Sequence, residues 1–106
     1  MAVVIRGRSD GGLETLAGAL ERYQEGHSRA EVVLYRQNPV SVRIRVVDPD
    51  FAGRSRPERN REVWGYFDEI PERVVADISS LLLLTPDETA TSFANVEFDD
   101  PVPSKL

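Results

Sequence analysis

Residues 40–48 read Val-Ser-Val-Arg-Ile-Arg-Val-Val-Asp, and this stretch decides the fold class. Apolar and polar side chains alternate strictly from Ser41 to Val46. A period of two residues indicates a β-strand with one face in the core and the other in water. Such alternation is typical of an antiparallel sheet with one solvated face.

The elements upstream follow from this strand. Residues 31–36 are β-like, and the turn signal Gln-Asn-Pro at 37–39 predicts a hairpin that joins them to it. Further upstream, apolar residues recur at helical spacing from Leu13 to Tyr23, and Gly26 stands where helices commonly end. We therefore predict a first helix over about residues 13–25. The apolar run at residues 2–6 is a candidate extra edge strand.

The elements downstream begin with a helix start signal. Ser55 and Glu58 have the spacing of a capping box, and Pro57 lies in the first turn, where its missing N–H is tolerated. The helix is predicted to end near Glu69, before Pro71. A short helix at 72–76, an apolar strand at 78–84 and a last helix from about 85 to 95 follow.

The order (β)αββααβα predicts one α+β domain over residues 1–98, with a flexible acidic tail over 99–106. We expect a three-stranded sheet with the helices packed on one face. The longest apolar run, 81–84, is far shorter than the roughly 20 residues of a membrane helix, so no membrane partner is expected. No secretory signal is evident at the N-terminus, and a cytoplasmic location is expected.

The charge is unevenly distributed. The net charge is −5, but residues 1–61 carry 11 arginines against 8 acidic residues, whereas residues 62–106 carry 2 basic and 10 acidic residues. Overall acidity argues against non-specific nucleic-acid binding, but it does not exclude a local basic patch. The absence of cysteine excludes disulfides, thiolate nucleophiles and cysteine metal sites.

The joint spacing of residues between 46 and 88 resembles the BolA family. The resemblance covers about residues 30–90 and is carried by Val46-Val47-Asp48, Phe51, Gly53, Ser55, Arg59, Val63, Ile78, Leu81, Leu84-Thr85-Pro86 and Glu88. It implies an αββααβ domain similar to the second topology of KH domains.

The departures from that family bear on cofactors. Asn60 follows Arg59 where the family has a histidine, Ser79 stands at a second typical histidine position, and the turn at 37–39 supplies neither cysteine nor histidine. In the family these positions are implicated in sharing an iron–sulfur cluster with monothiol glutaredoxins. Amide and hydroxyl groups are poor substitutes for imidazole or thiolate. We therefore expect no cofactor and no shared cluster, and predict a regulatory binding module that acts through protein contacts.

An alternative function is nucleic-acid or anion binding, as in a transcriptional regulator. Four arginines surround the start of the second predicted helix, whose free N–H groups would add to their attraction for anions. They are Arg54, Arg56, Arg59 and Arg61. The region resembles the one for which the family is proposed to act like a helix-turn-helix. The favoured interpretation is nevertheless a solvated helix start, because Glu58 and Glu62 neutralise part of the charge.

A basic sheet face is a second candidate surface for a protein partner. Arg43 and Arg45 share one face of the central strand, and Arg36 on the neighbouring strand is a candidate to join them. The same pattern is also typical of an ordinary solvated strand.

Catalysis and metal binding have little support in the sequence. Ser55 and Ser79 have no paired histidine base, so no catalytic residue is assigned, and a carboxylate-based enzyme is the weakest alternative. The acidic residues between 68 and 88 match no calcium loop. His27, the only histidine, is expected on the surface near the end of the first helix, so no metal site is predicted.

Overall fold

The computed structural model describes residues 3–101. Its sheet has four strands in the order β1 (Val3–Ile5), β2 (Glu31–Asn38), β3 (Ser41–Val47) and β4 (Ile78–Leu84). The hairpin of β2 and β3 is antiparallel, whereas β1 runs parallel to β2 and β4 parallel to β3. The expectation of one α+β domain is confirmed. The expectation of three strands is wrong, because Val3–Ile5 pairs along the outer edge of β2.

Three of the four α-helices in residues 3–101 begin at side-chain caps, and the short third one has none. The carboxylate of Asp10 accepts the N–H of Leu13 at 2.9 Å and starts α1 (Gly11–Gly26). The predicted capping box starts α2 (Arg56–Trp64): the Ser55 hydroxyl accepts from the Glu58 N–H, and the Glu58 carboxylate accepts from the Ser55 N–H at 2.7 Å. The short α3 is Glu72–Val75, and α4 is Phe93–Asp99. Within residues 3–101, three 3₁₀ turns lie at Pro49–Phe51, Gly65–Phe67 and Asp87–Ala90.

The main core lies between α1 and one face of the sheet. The alternation predicted for the central strand is present, since Val42, Ile44 and Val46 are completely buried. Ile44 lies between Leu34 of β2 and Leu81 of β4. The helices supply the other side of this core, with Leu13, Leu16, Leu20 and Tyr23 from α1, Val63 from α2 and Phe67 after it.

The opposite sheet face is covered as well, by α4. The predicted helix over 85–95 is instead the 3₁₀ turn Asp87–Ala90 followed by α4, and the buried ring of Phe98 packs 4.9 Å from that of Tyr35. The expectation that all helices lie on one face is therefore wrong. The reason is that this face carries apolar side chains such as Tyr35 and Leu84, which are buried only because α4 packs there.

The predicted tail lies largely beyond the described residues. Asp99 is the last residue of α4, and residues 102–106 fall outside the part that the structure describes. Over residues 3–101, no helix has both the length and the apolar character needed to cross a lipid bilayer.

Candidate functional site

Arg59, one of the four predicted anion-binding arginines, points into the protein. Its side chain is 8% exposed and donates to the carbonyl oxygens of Arg54 and Leu83, each at 3.0 Å. It also forms a two-pronged pair with Glu88, at 2.7 and 3.0 Å. The hydrogen bonds from Arg59, together with the Thr85 N–H, lower the pKa of Glu88 to about 2. Arg59 therefore joins α2 to the end of β4 and is not available to a ligand.

The other three arginines of this group do not form one patch. Arg54, which precedes the cap of α2, is bound to Glu62 within that helix. Arg56 and Arg61 are exposed and form no ion pair with any residue from 3 to 101. The predicted cluster of four cations thus reduces to two free guanidinium groups.

Arg43 and Arg45, the predicted sheet-face residues, are both held by α4. Arg43 donates to the two carboxylate oxygens of Glu97 at 2.6 and 2.7 Å. Arg45 donates to Asn95 at 2.9 Å and to Asp99 at 2.7 Å. These arginines therefore anchor the last helix, and their side chains do not form an exposed basic face.

Arg36 does not join these two arginines. It pairs in register with Val42, which faces the core below α1, so its side chain lies on the α1 face of the sheet, opposite to that of Arg43 and Arg45. There it donates to Asp10 at 2.6 Å and to Asp77 at 3.2 Å. The hydrogen bond to Asp10 is the main cause of the raised pKa of Arg36.

The two positions at which the BolA family has histidine make only local contacts. The Asn60 amide donates to the carbonyl of Arg56 one turn earlier, at 2.9 Å. The Ser79 hydroxyl lies 3.3 Å from the carbonyl of Val42. Neither contact assembles a ligand set.

A groove of about 390 Å³ lies where the start of α2, the α4 side of β4 and the start of α4 meet. Its lining includes Arg56, Leu82, Leu84, Glu88 and Phe93. Phe93 stands at the rim with 90% of its surface exposed, and Val96, one turn later, is 64% exposed. We call this surface the α2–α4 groove.

A larger groove of about 910 Å³ lies between the loop before α1 and the β2–β3 hairpin. Its charged groups are largely paired within the chain. Arg36 is bound by Asp10 and Asp77. Arg6 donates to the Phe98 carbonyl at 2.8 Å, and its guanidinium stacks 4.2 Å above the ring of Tyr35. Arg8 is exposed at its edge. The groove therefore offers few free polar groups to a ligand.

A buried polar cluster at the end of β3 is a feature that the sequence interpretation missed. Asp48 is completely buried, and its carboxylate accepts the Tyr23 hydroxyl at 2.6 Å and the Asp50 N–H at 2.8 Å. Burial, and then the hydrogen bond to Asp48, raises the pKa of Tyr23. The hydroxyl therefore keeps its proton and acts as a donor.

His27 belongs to this cluster: it lies at the end of α1, as expected, but it is partly buried and not a fully exposed surface residue. Its side chain is 15% exposed, and its ring stacks on that of Tyr23 with centroids 4.0 Å apart. Its Nδ1 lies 2.9 Å from the Tyr23 carbonyl and its Nε2 lies 3.1 Å from Glu62. The signals were present in the sequence. His27 follows Tyr23 by four residues at a helix end, and Asp48 continues the buried alternation of 42, 44 and 46.

Comparison of the chain with known protein families, with curated proteins and with solved structures finds no match. Functional inference therefore rests on the residues and their contacts.

Proposed function

We propose that this chain is a BolA-like binding module that acts through protein contacts and not by catalysis. The observation that carries the proposal is the α2–α4 groove, at which an almost fully exposed phenylalanine stands beside a free arginine. Phe93 gains little packing in the isolated chain and continues the apolar lining that Leu82 and Leu84 give the groove. Contiguous exposed apolar surface that is rimmed by polar residues marks interaction sites.

The order of elements supports the BolA-like part of the proposal. From α1 to β4 the chain runs αββααβ, with an antiparallel hairpin followed by two helices and a strand parallel to β3. This is the arrangement that the resemblance implies. The strand β1 and the helix α4 extend it at its two ends.

The chemistry of the groove supports a peptide as the partner. Leu82 and Leu84 supply an apolar floor and Phe93 an aromatic rim, while Arg56 supplies a guanidinium without an ion-pair partner in residues 3–101. Glu88, the acidic residue of the lining, is already bound by Arg59. The surface therefore suits a peptide segment that carries an apolar side chain next to a carboxylate. Phenylalanine and arginine are also among the residue types enriched at protein interfaces.

The nucleic-acid alternative has less support, because two of its four predicted contact residues are used inside the protein. Arg59 binds Glu88, and Arg54 binds Glu62. The two that stay free, Arg56 and Arg61, would neutralise few phosphates, and affinity for nucleic acid rests mainly on that neutralisation.

The test is affinity capture from the source cell extract, followed by reconstitution with the purified partner. We expect Phe93→Ser and Arg56→Glu to lose the partner, and the reconstituted Kd to rise about 30-fold for Phe93→Ser, which corresponds to about 2 kcal/mol at a hot spot. Val40→Ser is the matched control, since Val40 is 56% exposed on the β2–β3 turn and lies outside the groove.

Two outcomes would contradict the proposal. If all variants capture the same proteins with equal affinity, the groove is not the binding surface. If capture disappears after nuclease treatment of the extract, nucleic acid is the partner and the alternative holds.

A second test addresses the expected absence of a shared iron–sulfur cluster. Mixing the protein with a cluster-loaded monothiol glutaredoxin should leave the visible absorption spectrum unchanged, because Asn60 and Ser79 supply no soft ligand. A spectral shift that persists after gel filtration would contradict this part of the proposal.

A further inference from the structure

The polar cluster at the end of β3 contains groups that ligate metals. His27, Asp48 and Asp50 each offer one ligand atom, and these atoms all lie within 4.8 Å of one another. In a tetrahedral zinc site, two ligand atoms that each lie about 2.1 Å from the ion are about 3.4 Å apart. The set must therefore contract by at most about 1.4 Å to surround one ion, and Asp50, which is exposed, is the side chain best placed to make that movement.

The orientation of His27 favours ligation. Its Nδ1 lies 2.9 Å from the Tyr23 carbonyl, which can only accept a hydrogen bond, so Nδ1 carries the proton. In the neutral ring this leaves the lone pair on Nε2. Anchoring of one ring nitrogen to a backbone carbonyl is the usual outer-shell arrangement of a metal-binding histidine.

The contact that Nε2 makes is favourable only when a positively charged species lies beside it. Nε2 lies 3.1 Å from an oxygen of Glu62, and a carboxylate oxygen and a nitrogen lone pair are both acceptors. Either a proton or a metal ion must lie between such groups to make the approach favourable. Glu62 contacts Nε2 but is not one of the three residues whose ligand atoms lie within 4.8 Å of one another.

The neighbouring arginines compete only weakly for these groups. Arg29 donates to Asp50 at 2.8 Å, but its side chain is 69% exposed, and exposed ion pairs of this kind contribute little free energy. Arg54 binds the other oxygen of Glu62. Asp48 keeps its orientation through the Tyr23 hydroxyl. A divalent ion thus gains two carboxylates and an imidazole at small cost.

We propose that His27, Asp48 and Asp50 form a binding site for a divalent first-row metal ion, with Zn²⁺ as the best fit. A mixed set of imidazole and carboxylate ligands suits Zn²⁺ and its neighbours, whereas Mg²⁺ and Ca²⁺ prefer oxygen ligands alone. The site connects the end of α1 to the segment that follows β3. It shares no residue with the α2–α4 groove, so it stands or falls independently of the proposed protein partner.

The experiment is isothermal titration of untagged, chelator-treated protein with Zn²⁺, and with Mg²⁺ as the comparison metal. We expect one Zn²⁺ per chain with micromolar or tighter Kd, and no heat from Mg²⁺. Loss of an outer-shell partner already weakens metal binding about 10–100-fold. Asp50→Asn and His27→Gln should therefore each raise the Kd more than about 100-fold. Arg29→Ala should lower it, because Asp50 loses its competing partner.

Controls separate this site from adventitious binding. Asp87→Asn removes an exposed carboxylate outside the cluster and should leave the Kd unchanged. Circular dichroism identifies variants that keep the fold. If His27→Gln is unfolded, Asp50→Asn decides the question, since that side chain is exposed. The proposal is overturned if the wild type does not bind Zn²⁺, which would leave a proton between His27 and Glu62, or if both variants bind it as tightly as the wild type.

Discussion

Arg59 provides the sharpest test of how this fold is held together. In Arg59→Ala, the Leu83 carbonyl loses a buried donor, which costs about 1–3 kcal/mol. The lost pair with Glu88 adds only about 1 kcal/mol, because 42% of the Glu88 side chain is exposed and water screens it. The guanidinium also lies 5.5 Å from the ring of Phe51, and its packing there is lost. We expect the free energy of unfolding to fall by about 3 kcal/mol.

The assay is urea unfolding followed by the fluorescence of Trp64, the only tryptophan. With a urea dependence of about 1–3 kcal/mol per molar, the midpoint should fall by about 1–3 M. Arg61→Ala is the matched control, since Arg61 is exposed on the same helix and should change stability by less than about 0.5 kcal/mol. Equal, small effects of both substitutions would refute the structural role of Arg59. Arg59 would then again be a candidate residue for anion binding.

Three further perturbations test the remaining contacts. Tyr23→Phe should destabilise the protein by about 2 kcal/mol in urea unfolding, because the buried Asp48 carboxylate loses a hydroxyl donor. Ser55→Ala should cost about 1 kcal/mol in the same assay through loss of the α2 cap. The Arg59 pair lowers the pKa of Glu88 to about 2 in the folded protein. The pair therefore stabilises the fold fully at pH values above the pKa of Glu88 in the unfolded chain, and this stabilisation is lost as the pH falls towards 2. The free energy of unfolding of the wild type should therefore fall by about 1 kcal/mol more than that of Glu88→Gln between pH 5 and pH 2, measured by thermal melts.

Each of these predictions has an outcome that contradicts it. Tyr23→Phe with wild-type stability would mean that Asp48 is satisfied by other donors. An unchanged Ser55→Ala variant would mean that the start of α2 does not depend on its cap. Parallel pH profiles of wild type and Glu88→Gln would show that the carboxylate is not held by Arg59.

Local patterns in the sequence predicted the elements whose physics is local. The alternation of residues 41–46 and the capping box at Ser55 each act within a few residues, and each is observed. The hairpin is also present, although its turn lies at Pro39–Val40 and not at 37–39, because β2 continues to Asn38. The last helix was misplaced for a local reason as well. Thr85 and Glu88 do form a reciprocal cap, but it starts only a 3₁₀ turn, and α4 begins later at Ser92.

The roles of the charged residues required the tertiary structure. The partner of Arg59 lies 29 residues away, and those of Arg43 and Arg45 lie 50 or more residues away on α4. Sequence spacing reports which charges are neighbours along a helix or strand. It does not report which distant carboxylate will neutralise them. Arginines that were predicted to lie free on the surface are therefore found to hold elements of the fold together.

The sequence by itself determined the α+β class, the hairpin and the absence of cysteine chemistry, because composition and short-range periodicity are properties of the chain alone. Only the tertiary structure decided that α4 covers the second face of the sheet, and that His27 meets Asp48, 21 residues later, beneath α2. Those contacts depend on how helices pack across strands, since burial of apolar surface brings together groups that no local spacing relates.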